Sequence, residues 1–182
     1  MNHNHFRAGL ALLGMAIAVP ASAAPTQGTL GATSTGSITI NVSVPSRVQI
    51  TGLSDVNFTN VDPAVTATNA QSNCVWSNTA TKGYTITASG SGTAGAFTLA
   101  SGVLTPVNYT VQWNQSTGMS TGTALTHSAA SSTFNSTATT PTCLTAPATS
   151  SSLIVSIASS ELLNMASLTT YTGTLTLLVS PV

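Results

Sequence analysis

The chain has 182 residues, of which 42% are hydrophobic and only 3% charged, and its formal net charge at pH 7 is zero. Folded proteins carry about 25% charged residues, so this surface must be built from Ser, Thr, Asn, Gln and Gly. The balance excludes a basic nucleic-acid footprint and a polybasic membrane patch, and the hydrophobic content is not that of a disordered chain.

In chain order, Arg7 precedes an apolar run from Ala8 to Val19, and Ala21-Ser22-Ala23 follows. This is the layout of a secretory signal cleaved after Ala23. A membrane anchor is the competing reading, but the run of about a dozen residues falls short of the ~20 that span a bilayer. Residues 1–23 are expected to be a signal peptide, leaving an exported mature chain of about 159 residues, enough for one domain. Residues 24–36, "APTQGTLGATSTG", are small and polar with Leu30 alone to bury, and read as a flexible leader.

"GSITINVSVPSRVQI" follows, with Ile38, Ile40, Val42, Val44, Val48 and Ile50 on one parity. That alternation is a strand signature. Extended from Ser37 to Ile50 it would reach about 45 Å at roughly 3.3 Å per residue, well over the usual strand of about 17–20 Å. Two readings stay open. Either one strand bends at Pro45 and crosses between sheets, or residues 37–44 leave the body and pair with the open sheet edge of another molecule. The second arrangement is head-to-tail and non-closing, so it builds a fibre.

Further strands are expected at "VNFTNV" (Val56 to Val61), around Cys74 and Trp76, in "GYTITASG" with Tyr84 and Ile86, in "AFTLASG", in "VNYTVQWN", in "SSLIVSIA" and in "YTGTLTLLV". Residues 116–142 are mostly Ser, Thr and Ala, and the segment is read as a hairpin around Leu125 and Phe134. "SSELLNMA" reads as one or two helical turns capped by Ser159 or Ser160. Short β-rich segments spaced by turns predict an all-β, antiparallel sandwich or barrel.

Cys74 and Cys143 are the two cysteines. In an oxidising compartment they are expected to form a disulfide; a reactive thiol pair would want a basic neighbour, and neither cysteine has one. His127 is the one histidine after residue 23, and no acid adjoins it. No metal set, paired carboxylates or phosphate-binding glycine pattern emerges. The expectation is therefore no enzyme, no cofactor and no metal. Trp76 and Trp113 lie in alternating segments and are expected to pack in the core.

At both ends the chain resembles a known group. "ITINVSVPSRVQI", Tyr109-Thr110-Val111-Gln112-Trp113 and the closing Tyr171-Thr172-Gly173 strand are, in that order, similar to subunits of chaperone–usher fimbriae, closest to alpha-class colonisation-factor pilins. The cysteine pair departs from that class and is similar instead to archaic and spore-coat-U-like subunits. The donor pattern also begins about 13 residues into the mature chain, so the leader has no assigned role.

The resemblance implies an immunoglobulin-like β-sandwich lacking its last strand, completed by a donor strand from another chain. Residues 37–44 would be that donor, with Ile38, Ile40, Val42 and Val44 as its knobs, and residues 45–182 the pilin domain. Val48, Ile50, Tyr171, Leu175, Leu177 and Val179 would face the groove and the chaperone, and Arg47 and Gln49 would begin the first body strand. The implied partners are copies of this chain or related pilins, a periplasmic chaperone, an outer-membrane usher and a host or surface receptor. The implied location is the cell-surface fimbrium, and the implied role is adhesion or biofilm support. The alternative function is a monomeric exported sandwich that binds carbohydrate or protein through an exposed Trp76 or Trp113.

Overall fold

A computed structural model describes residues 24–182; the signal-peptide reading of residues 1–23 lies outside them. The chain divides into two units between Val44 and Pro45. In the first, Thr26 and Ser37 form an isolated antiparallel bridge, with each backbone N–H donating to the other's carbonyl at 3.0 Å. The leader is thus a closed loop bending at residues 30–33. Residues 38–44 belong to no strand or bridge.

The second unit is all-β and antiparallel apart from one helical turn and a short 3-10 turn. Strand β1 (Val48–Thr51) pairs with β2 (Ala67–Ser77) in the register Val48↔Ser77 to Thr51↔Cys74. β1 stops at Gly52, whose φ of +77° suits glycine. Beyond it, residues 53–59 lie outside any strand. The strand expected at Val56–Val61 is therefore absent: the chain leaves β2 at Gly52, and a side chain rather than a strand takes its next backbone groups. The Gln71 side chain accepts from Ser54 N–H at 2.8 Å and donates to Ser54 C=O at 3.0 Å, while Val56 and Phe58 still pack against the core.

β3 (Gly83–Gly90) matches its sequence pattern, burying Tyr84, Ile86 and Ala88. β4 (Thr98–Leu99) and β5 (Val107–Asn108) form a small pair. The run "VNYTVQWN" breaks at Tyr109, whose N–H turns to Phe97 C=O at 2.9 Å, and resumes as β6 (Thr110–Asn114). β7 (Thr123–Ala124) pairs with β6, whereas β8 (Phe134–Asn135) pairs with β3. Leu125 and Phe134 are both buried, but residues 116–142 form no hairpin; they link two sheets.

β9 (Ser151–Ile157) lies between β2 and β6. It is buried along most of its length, and at Ser152 residues 116–119 cross it, with Met119 N–H donating to Ser152 Oγ at 3.0 Å and Ser152 Oγ donating to Ser116 C=O at 2.9 Å. Helix α1 (Ser159–Leu162) follows; Ala158 occupies the cap position and no side chain caps the turn, contrary to the serine expectation. β10 (Leu175–Pro181) starts four residues after Tyr171, because Gly173 crosses β4 so closely that a Cβ there would lie 2.8 Å from Thr98 C=O.

The sheets are β1-β2-β9-β6-β7, β10-β3-β8 and β4-β5. The first two share one core that includes Val75, Tyr84, Ile86, Trp113, Leu153 and Ile157. Trp113 Nε1–H donates to Tyr84 Oη at 3.1 Å, joining the sheets at the centre. Burial pushes the Tyr84 phenol up to about 12, partly offset by that hydrogen bond. Cys74 and Cys143 form a disulfide, Cα atoms 6.4 Å apart, closing a separation of 69 residues.

Candidate functional site

A groove of about 1060 Å³ opens in the second unit. It lies where the ladder is incomplete. β10 is the edge of its sheet, paired with β3 on one side only, and residues 53–59 belong to no strand. Residues 53–61 line the groove together with Tyr171 to Leu175 and Leu177, while Leu153, Val155 and Ile157 of β9 supply buried apolar surface. Asp55 is the one charged residue among the described lining residues. Around α1, Leu162, Leu163 and Met165 also line it. The loop after the helix is closed by Ala166 N–H donating to Tyr171 Oη at 3.3 Å.

Along β10, Leu175, Leu177 and Val179 are half-buried and alternate with exposed Thr176 and Leu178. Their inner faces touch the core but are not closed over. Tyr171, Leu175 and Leu177 line the groove itself; Val48, Ile50 and Val179 do not, and are half-buried against the same core. Val56, Phe58, Leu99, Leu153, Val155, Ile157, Leu162 and Met165 also belong to this surface, and alternation alone does not assign them to it. The lone available signal was a strand-like "VNFTNV" with no partner strand in reach of its sequence.

In the first unit the donor candidates are open to solvent: Ile38 is 73%, Ile40 83%, Val42 90% and Val44 77% exposed. The body begins immediately afterwards under a clamp absent from the sequence reading. Asn78 Nδ2 donates to Pro45 C=O at 2.9 Å, Arg47 N–H donates to Asn78 Oδ1 at 2.6 Å, and Asn78 N–H donates to Arg47 C=O at 3.1 Å. Arg47 precedes β1, and Gln49 sits within it, opposite Trp76.

Next to the groove-lining Leu162 in sequence, the Glu161 carboxylate accepts from Asn108 N–H at 2.9 Å and Nδ2–H at 3.1 Å, and these bonds hold its carboxyl below the usual carboxylate range. Burial raises the Tyr109 phenol. His127 packs edge-on to Phe97, centroids 6.0 Å apart. No cluster of three or more His, Cys, Asp or Glu residues with metal-ligating spacing occurs among the described residues. Trp113 is fully buried, and Trp76 is half-buried against Cys74, Ala138 and Cys143. Among the described residues no helix is long and apolar enough to cross a membrane.

An open strand edge offers unpaired N–H and C=O groups, and an apolar trough takes alternate side chains. Together they suit an extended peptide with period-two hydrophobicity. Comparison with family models and with curated proteins finds no match for this chain.

Proposed function

We propose that this protein is a structural subunit of a surface fimbria, polymerised by donor-strand exchange. Its body is read as an immunoglobulin-like sandwich missing one strand. The donor segment of a second copy fills the groove beside β10, with Ile38, Ile40, Val42 and Val44 seated on its apolar surface. A periplasmic chaperone holds the groove before assembly, an outer-membrane usher exchanges it for the next subunit, and the fibre serves adhesion or biofilm formation.

One observation carries this reading. A single chain bears both an apolar groove at an unpaired strand edge and four alternating aliphatic side chains exposed to water. Each is a liability alone, and each removes the other's cost when two copies meet. The near absence of charge adds little repulsion between copies. The chaperone, the usher and the immunoglobulin-like topology rest on the sequence resemblance. The binding-module alternative called for an exposed tryptophan platform, and both tryptophans are packed inward or against the disulfide.

The test uses three proteins: the chain from Ala24, the same chain without residues 24–44, and that truncated chain with Ser37–Val44 joined to its C-terminus by a short linker. The first is expected to polymerise or aggregate, the second to be an unstable monomer and the third a stable monomer, read by sedimentation and thermal melting. A stable, monodisperse monomer from the first chain, with no strand added, overturns the proposal.

A further inference from the structure

A strand that alternates Ile, Ile, Val, Val specifies which face is buried but not where along the groove it sits. A slip by two residues, about 6.6 Å, places β-branched side chains in the same positions again. Some other feature must set the register.

The chain marks both ends of the segment. After Val44 comes Pro45, which has no N–H to give a ladder, and whose carbonyl is held by Asn78. Before Ile38 comes Ser37, whose N–H and C=O are both engaged by Thr26. The loop between these partners is tight. A Cβ on Gly36 would lie 3.0 Å from Thr26 C=O, and one on Gly28 would collide with Ser34 Oγ. Residues 38–44 between the two marks number the same as the seven of β10.

We propose that the leader loop closed by the Thr26–Ser37 pair is a register stop for assembly. This rests on the donor-strand reading and assigns the leader a role within it. Sliding the segment so that Ser37 and Gly36 enter the groove of the second copy requires both Thr26 bonds to break. Sliding it the other way brings in Pro45 at the loss of a ladder bond and of the Asn78 clamp. The seven residues between are left with one placement.

Cross-linking reads the register directly. The described residues contain no free cysteine, so single Ile40→Cys, Val42→Cys and Val44→Cys changes can each be combined with Leu177→Cys in otherwise complete mature chains. With the leader intact, one donor position is expected to cross-link between copies. With residues 24–36 deleted, or with Thr26→Pro, which removes the N–H bonded to Ser37, a second position two residues away joins it. The two backbone hydrogen bonds lost with the leader predict a rise in the slipped fraction on the order of tenfold to thirtyfold, and the one lost in Thr26→Pro a rise of about threefold to fivefold. A leaderless polymer that keeps one register overturns the stop while leaving donor-strand assembly standing. So does an intact chain that already cross-links at two positions. Absence of any cross-link in polymers of every variant overturns the donor reading, and the stop with it.

Discussion

Residues 37–44 and β3 carry the same kind of pattern and meet opposite ends. In β3, Tyr84, Ile86 and Ala88 are fully buried between β10 and β8. In the other stretch Ile38, Ile40, Val42 and Val44 are almost wholly in water. Alternation is a statement about a face, and burying that face needs pairing partners that hold it against a second layer. β3 finds them within the chain. Residues 38–44 pair with nothing, and the segment is kept from being an ordinary strand by what flanks it: a closed loop at Ser37 and a proline at 45.

The sharpest way to break the comparison is to place the same charge in both stretches. Ile86→Asp puts an unpaired carboxylate into the shared core and is expected to cost about 4 kcal/mol or more, enough to unfold the body. Val42→Asp lies on an exposed position and should change body stability by about 0.5 kcal/mol or less, yet abolish polymer growth. Urea melts of the monomer with its segment fused at the C-terminus report the first effect, and sedimentation of the mature chain the second. Fibres forming at the normal rate with Val42→Asp would remove the segment from the assembly contact.

The same contrast explains how much could be read from the sequence. The all-β class, the extent of β3, the buried Trp113 and the Cys74–Cys143 bridge follow from period-two runs and from compartment chemistry. What escaped reading depends on long-range pairing. "VNFTNV" has the pattern of a strand, but Gly52 turns the chain off β2 and a single glutamine side chain pairs with Ser54 just before it. Leu125 and Phe134 looked like two arms of a hairpin because they are near in sequence; each instead adds to a different sheet. The groove surface from β9 was invisible for a related reason: Ser151 to Val155 is a continuous buried run, and nothing local says which of its residues meets an opening. The leader looked unstructured because a two-bond closure between Thr26 and Ser37 has no compositional signature beyond its glycines.

A smaller effect separates what holds the body from what holds the segment. The disulfide closes 69 residues of the second unit, and the chain-entropy account gives roughly 4 kcal/mol for a loop of that length as an upper figure. Replacing both cysteines by alanine should lower the urea midpoint of the strand-fused monomer accordingly. It should leave the exposure of residues 38–44 in the unfused chain unchanged, as measured by proteolysis of that stretch. An unaltered midpoint would mean that the bridge adds no restraint beyond the sheet pairing.

The finest distinction comes from titration. Residues 37–44 contain no ionisable side chain, whereas β3 contains Tyr84, with its phenol pushed up to about 12 from an ordinary value of 10.0. A raised folded-state value means that folding favours the protonated phenol. The contribution is therefore whole below about pH 10, declines as pH rises from about 10 to about 12, and is gone above both values. A shift of that size corresponds to on the order of 3 kcal/mol. The stability of the strand-fused monomer should fall across that window, and Tyr109, raised in the same direction by burial, adds to the slope. Tyr84→Phe separates the causes: it lowers stability at neutral pH by about 1–3 kcal/mol, because Trp113 Nε1–H loses its acceptor, but it flattens the alkaline decline. A steep decline that persists in Tyr84→Phe would move the alkaline sensitivity away from the centre of β3. A flat profile in the unsubstituted protein would mean that the phenol titrates as freely folded as unfolded, and that the strand taken here as the buried half of the comparison is open to water.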